Sequence, residues 1–408
     1  MPPGSTPANA TFMFKAIFNF IREIKDCLRL FSKESEKARR IVFYSESDIY
    51  FQYYEGIIDE LLSRGGEDIE IAYVTSDIND SIFRRAENKE KYGRLKVFYI
   101  NNLLSVAMVY FDSKVFVMTM PDLGNFHIKR SINAVHYIYA FHAIGSTHLQ
   151  YRRGAFDHYD AVFCVGEHHV KELRKAEEIY GAAPKTLIEC GYHRLEKIWL
   201  DHCGMKEAGS VDAKIGEKTV MIAPTWSKDN ILDSCVYKII DALKGDRELA
   251  VVIRPHPEYI KRYPEKVAKI RDYIAGADNF SLESDMLKDE NLHKADVLIT
   301  DWSGIYLEYA PGTERPVLFI DTPCRIDNAE YEKLGIPPME LTLRPLCGRI
   351  LQLNDISGIR AEICDLIDNR EKYREEIVRI RGEYVFNFPG SSKIAADYIL
   401  RKVKNIDL

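Results

Sequence analysis

DVLITDWSGIYLEYA, residues 296–310, reads as a buried strand, a tight turn and the opening of a helix. DVLIT (296–300) is apolar on both faces, which suits a strand of a parallel sheet covered by helices above and below. Ser303 and Gly304 in the turn put a hydroxyl and backbone N–H groups at a helix N-terminus, where anions bind. Glu308, about one turn into the helix, is placed to reach ribose hydroxyls, as acids near dinucleotide sites do. The plain alternative is an ordinary cap, Ser303 or Asp301, with Glu308 an exposed helix acid.

The same pattern extends in both directions. TVMIAP (219–224), LAVVIRP (249–255), NFSL (279–282) and PVLFI (316–320) are strands of one sheet. Upstream, RIVFYS (40–45), IEIAYVT (69–75), LKVFYI (95–100), KVFVMT (114–119), VHYIYAF (135–141), AVFCV (161–165) and TLIEC (186–190) form another. Helical stretches separate several of them, as at 50–63 and 168–180. Strands alternating with helices give an α/β chain of two doubly wound, Rossmann-like domains, 40–202 and 218–408. The small, polar CGMKEAGSVDAKIGE (203–217) is the linker, and helices at 355–381 and 391–404 close the second domain. The loops after the strands then face a shared cleft, where open α/β sheets take ligands.

A chain of 408 residues fits two such domains. Its formal charge of -6, from 62 acidic and 56 basic residues, argues against a nucleic-acid partner. Eight cysteines without a Cys-x-x-Cys pair read as reduced thiols, and no apolar run reaches the ~18 residues of a membrane span. The expected location is the cytoplasm. Residues 1–39 combine a Pro- and Ser-rich start, expected to be disordered over 1–11, with an amphipathic helix over 12–31. Residues 11–40 carry eight Lys or Arg against four Asp or Glu. That helix either lies on an anionic membrane surface, making the protein peripheral at the inner face of the membrane, or packs on its own domain or a subunit partner.

Three further strand ends carry chemistry. His142 follows VHYIYAF and can take a proton from a hydroxyl, or it belongs to a capped turn. In Arg254-Pro255-His256-Pro257 the prolines end the strand and hold a guanidinium beside an imidazole, suited to phosphate, or the turn is a rigid connector. Thr225 and Trp226 in Ala-Pro-Thr-Trp-Ser either contact a base or phosphate or form a packing lid. His168 and His169 point different ways from a helix and make a poor metal pair, so no metal site is expected. Gly191 precedes Tyr192-His193-Arg194 and either lets the chain enter the cleft or makes an ordinary left-handed turn.

Phe141-His142-Ala143, Gly191-Tyr192-His193-Arg194, Ala223-Pro224-Thr225-Trp226, Arg254-Pro255-His256-Pro257 and Thr300-Asp301-Trp302-Ser303-Gly304 occur in that order, each after a strand. Over about residues 135–320 they resemble the CDP-glycerol glycerophosphotransferase family of teichoic-acid and capsule polymerases and primases. Ala143 replaces the family's Gly, and Gly304 its second Ser. The resemblance implies a GT-B-like fold, with a CDP-alditol donor on the C-terminal domain and a polyol-phosphate or glycan-lipid acceptor on the N-terminal one. It implies His142 as general base, and His256 with Arg254 on the diphosphate and leaving CMP. Ser303, Gly304 and their helix would hold phosphate, with Thr225, Asp301 and Glu308 completing the donor set. Ser146 and Thr147, in the His142 loop, fall on the acceptor side. No cofactor is implied, and homo-oligomers are compatible with it. The competing readings are a GT-B glycosyltransferase using a nucleotide sugar and a non-catalytic nucleotide-binding subunit of a surface-polymer complex.

Overall fold

The N-terminal strands are β1 (Ile41–Ser45), β2 (Ile71–Thr75), β3 (Leu95–Tyr99), β4 (Val115–Met118), β5 (His136–Ala140), β6 (Ala161–Cys164) and β7 (Thr186–Glu189). They pair in parallel in the order β3-β2-β1-β4-β5-β6-β7 in the computed structural model, which describes residues 7–125, 128–209, 218–285 and 288–405. The C-terminal strands are β8 (Lys218–Ile222), β9 (Leu249–Ile253), β10 (Phe280–Leu282), β11 (Val297–Thr300), β12 (Val317–Ile320) and β13 (Gly348–Leu351). Their order, also parallel, is β10-β9-β8-β11-β12-β13. Both-face apolar runs such as Ile41–Tyr44 and Val297–Ile299 are buried along their length, because helices cover each sheet twice.

In each sheet the chain winds outward one way, then returns to the other side of its first strand. The reversals fall between β1 and β4 and between β8 and β11, which opens a crevice at the carboxyl ends of those strands. The two domains are thus the doubly wound pair that the alternation implies, in the GT-B-like plan that the resemblance implies.

The domain ends differ from the expected division. The helix Ser391–Val403 belongs by packing to the N-terminal domain, although the sequence assigned it to the C-terminal one. Its Ala395, Ala396, Ile399 and Val403 join Ile57, Ile58 and Leu61 of the helix Phe51–Arg64 in one core. An ion pair of 2.6 Å between Arg64 Nη2 and Asp397 Oδ1 flanks the contact. An apolar stripe must be buried, and it settles on the nearest matching stripe rather than on its own domain. Residues 203–207, expected in the linker, prolong the helix His193–Glu207, and the linker's 210–217 lie outside the described residues. That helix packs on Tyr306–Thr313 of the other domain, close enough that a β-carbon on Gly312 would strike Ile198.

The first helix, Pro7–Leu30, begins inside the 1–11 stretch expected to be disordered and docks on β3 through acids. Glu23, fully buried, accepts the Asn101 and Leu103 N–H groups at 2.6 and 2.7 Å, and Asp26 accepts that of Tyr99 at 3.0 Å. Phe14, Phe18 and Leu28 remain 68%, 69% and 70% exposed. Among the described residues no helix is long and apolar enough to cross a membrane.

Candidate active site

A cavity of about 560 Å³ opens between the domains, lined by the loops after β1, β5, β8, β9, β11 and β12. It brings together His142, Arg254, His256, Ser303, Gly304 and Glu308.

His142 stands at the end of β5 with the rings of Tyr50, Tyr53 and Tyr151 edge-on at 5.6, 6.0 and 6.4 Å. Burial pushes its pKa down to about 4, against a bond to the Thr119 backbone that favours the protonated ring. Its Nδ1 is buried, so the nitrogen that the ring can present to the cavity it lines is Nε2. With the neutral ring's proton on Nδ1, Nε2 presents an unfilled lone pair, as a base requires.

His256 is arranged the opposite way. It caps the helix Pro257–Arg262, its Nδ1 accepting the Glu258 N–H at 3.1 Å, so the neutral ring carries its proton on Nε2. Burial, and then the charge of Arg325, press its pKa down to about 4. It offers an N–H donor rather than a cation. Arg254, 3% exposed, continues the ladder through its N–H to Ile222 O at 2.8 Å and holds its Nε 3.7 Å from Glu283.

Ser303, Gly304 and Ile305 line the cavity where the helix Tyr306–Thr313 begins. The N-cap is Ile305, without a side-chain cap bond, so the Ser303 and Asp301 cap readings are not what forms. Glu308 is held, not exposed. Its Oε1 accepts the Tyr192 hydroxyl at 2.7 Å and its Oε2 lies 3.9 Å from Arg194 Nε. Arg194 in turn makes two bonds of 2.6 Å to Asp289, across the domain boundary.

Four expected site residues serve the frame instead of lining the cavity. Asp301, fully buried, accepts the Thr225 and Ile231 N–H groups at 2.8 and 3.1 Å and fixes the loop after β8. Thr225 is buried under that loop, and its hydroxyl accepts from Arg325 Nη1 at 3.2 Å. Ser146, fully buried, gives its N–H to Glu340 and accepts the Met339 N–H at 2.7 Å. Thr147 gives its N–H and hydroxyl to Glu172, each at 2.6 Å. Short hydroxyls and carboxylates after a strand serve loop amides as readily as ligands, and full burial decides for the amides. His168 and His169 bond the Ile144 and Gly145 carbonyls at 2.7 and 3.0 Å, which pins the His142 loop. Gly191 has φ 99°, and a β-carbon there would strike the Phe386 carbonyl, so the left-handed turn serves contact with the returning C-terminal segment.

Sequence reasoning missed Arg194, Arg325 and Glu340. Arg325 lines the cavity from the loop after β12, with Nη2 2.6 Å from Asp327 and its guanidinium 5.1 Å above the Trp226 ring. Only Arg194 had a local signal, since it closes the Gly-Tyr-His-Arg turn. Among the described residues no group of three or more His, Cys, Asp or Glu gathers as for a metal ion.

A cleft at two switch points that carries arginines and imidazoles suits a nucleoside diphosphate, and comparison with known families gives it a chemistry. The model of CDP-glycerol:poly(glycerophosphate) glycerophosphotransferase matches residues 27–333. The chain belongs to this family. It is a glycerophosphotransferase with CDP-glycerol as donor. The match spans every strand that lines the cavity and stops short of Glu340. Comparison with curated protein sequences gives no match. Among solved structures, the wall teichoic acid polymerase TagF superimposes with a TM-score of 0.62 at 16% identity, covering 98% of this chain and 99% of that one. A TagF histidine variant soaked with CDPG gives 0.62 at 15%, with the same coverage. UDP-GlcNAc 2-epimerase of Neisseria meningitidis bound to UDP-GlcNAc gives 0.56 at 13%, covering 88% and 99%. At these identities the likeness establishes the fold the glycerophosphotransferase shares with them.

Proposed function

We propose that the cavity transfers glycerol phosphate, or a similar polyol phosphate, from a CDP-alditol to an acceptor hydroxyl in the assembly of a bacterial surface polymer. The observation that carries this reading is the complementary pair of neutral histidines. His142 offers a lone pair from one domain and His256 an N–H from the other, on the same cavity. The acceptor oxygen attacks the alditol-linked phosphorus while His142 Nε2 takes its proton. The bond from that phosphorus to the bridging oxygen breaks, and its electrons leave on CMP. Arg254, the His256 Nε2–H and the helix start at Ser303 and Gly304 meet the charge that develops. Such transfer rests on positioning and electrostatics, which these residues supply without a covalent intermediate.

The test is which nucleotide is released. Phosphoryl transfer frees CMP, transfer of the polyol alone frees CDP, and a glycosyltransferase given a UDP-sugar frees UDP.

The exposed Phe14, Phe18 and Leu28, beside Lys15, Lys25 and Arg29, support attachment of the first helix to an anionic membrane surface. A form lacking residues 12–31 is expected to stay in the supernatant when anionic vesicles are sedimented. If it pellets as the full chain does, the helix serves its own domain only.

A further inference from the structure

Glu340 opens the helix Met339–Cys347 in the C-terminal domain, yet it faces the loop that carries His142. Its Oε1 accepts the Ser146 N–H and the Gln150 side-chain amide, both at 3.0 Å. Its Oε2 is buried and has no partner, although the side chain lines the cavity together with Gln150 and His142. A buried carboxylate oxygen left empty is costly, and native structures rarely keep one without use.

The loop is built around this group. A β-carbon at Gly145 would meet Gln150 Nε2 and Glu340 Oε1, so the loop backbone passes directly against the carboxylate and its amide partner. Ser146 Oγ, accepting the Met339 N–H at 2.7 Å, fastens the start of the Glu340 helix to the same loop. The carboxylate is therefore tied to the residues following the proposed base, while Arg254, His256 and Ser303 come from the C-terminal strand ends. A carboxylate repels phosphate and takes hydrogen-bond donors, and the donors that a polyol reaction brings are hydroxyls.

We propose that the Glu340 carboxylate, with one oxygen left unpartnered at the cavity wall, binds a second hydroxyl of the acceptor, beside the one that attacks, and so selects acceptors ending in a polyol. This rests on the transfer reading above. The donor's polyol hydroxyls share the same chemistry, and the His142-loop side of the cavity favours the acceptor over them.

The experiment compares kcat/KM for a soluble acceptor ending in glycerol phosphate with the same acceptor ending in 3-hydroxypropyl phosphate, which lacks the second hydroxyl. The intact protein is expected to favour the glycerol end by about 10–100-fold, because a site built for a hydroxyl rejects an analogue without it. In Glu340→Ala the two acceptors should fall within about threefold of each other, through a rise in KM for the glycerol-ended one, with CDP affinity unchanged. Glu340→Gln retains a carbonyl for the Ser146 N–H and should also narrow the preference. If the intact protein shows no preference, or the preference survives in both variants, the assignment is overturned. An equal loss with both acceptors would make Glu340 a strut for the loop and overturn it too. Discrimination confined to CDP-glycerol against its 3-hydroxypropyl analogue would move the contact to the donor. An intact protein that consumes neither acceptor and releases no CMP would overturn the transfer reading, and this assignment with it.

Discussion

Replacing His142 by Ala is expected to lower turnover by about 10²–10⁴-fold while leaving donor affinity nearly unchanged. The ring lines the cavity at the end of β5, on the opposite domain from Arg254 and His256. Its loss removes the proton acceptor and none of the diphosphate contacts. Three tyrosine rings pack around it, so thermal unfolding of the variant must be checked beside its turnover. The intact enzyme carries a second signature of the same assignment. Only the neutral ring can act as a base, and burial holds its pKa at about 4, below that of a free histidine. Its neutral form persists as pH falls, so kcat/KM should stay level from about pH 8 to about 5.5. A base with the ordinary pKa near 6.5 would lose roughly tenfold over that range. Near-normal turnover in His142→Ala would return the residue to a packing role.

His256→Asn is expected to weaken CDP-alditol binding and to depress turnover, by about 10–100-fold in kcat/KM for the donor. Asn is chosen because it caps a helix well and can still accept the Glu258 N–H that Nδ1 accepts in the intact protein. What it removes is the Nε2–H toward the phosphates. The contrast with His142 is the informative part: one variant should spare donor affinity and the other should not. Titration with the donor, run beside turnover, separates the two. Unchanged affinity in His256→Asn would place its N–H away from the diphosphate.

The strand ends were readable because a parallel sheet forces them to be. Ile41–Tyr44 or Val297–Ile299 can only be buried on both faces, and whatever follows such a strand stands at the carboxyl edge where ligands bind. His142, Arg254, His256 and Ser303 reached the cavity on that logic. The same logic failed for Asp301, Thr225, Ser146 and Thr147, since whether a polar group after a strand meets a ligand or a neighbouring amide depends on loops distant in sequence. Asp301 bonds an amide 70 residues away, that of Ile231. Strand β13 had no apolar run to announce it. It begins at Gly348, where any β-carbon would strike Val317, and leaves Arg349 and Ile350 exposed at the sheet edge. The helix Ser391–Val403 was legible as a helix, but its stripe says only that it must be covered and not by which domain. Arg325 and Glu340 lie in a segment whose purpose is set by contacts between domains, such as Asn328 N–H to Leu149 O at 3.2 Å and the His148 ring to Ile336 O at 2.9 Å. No local pattern marks such residues.

The bond that breaks defines the reaction. Incubating the protein with CDP-glycerol and a soluble acceptor ending in glycerol phosphate, in excess EDTA, and analysing both nucleotide and acceptor by mass settles which bond that is. The expected result is CMP released in equal amount to the glycerol phosphate gained by the acceptor, with the chelator making no difference. Release of CDP, or an acceptor that gains a polyol without its phosphate, would contradict it.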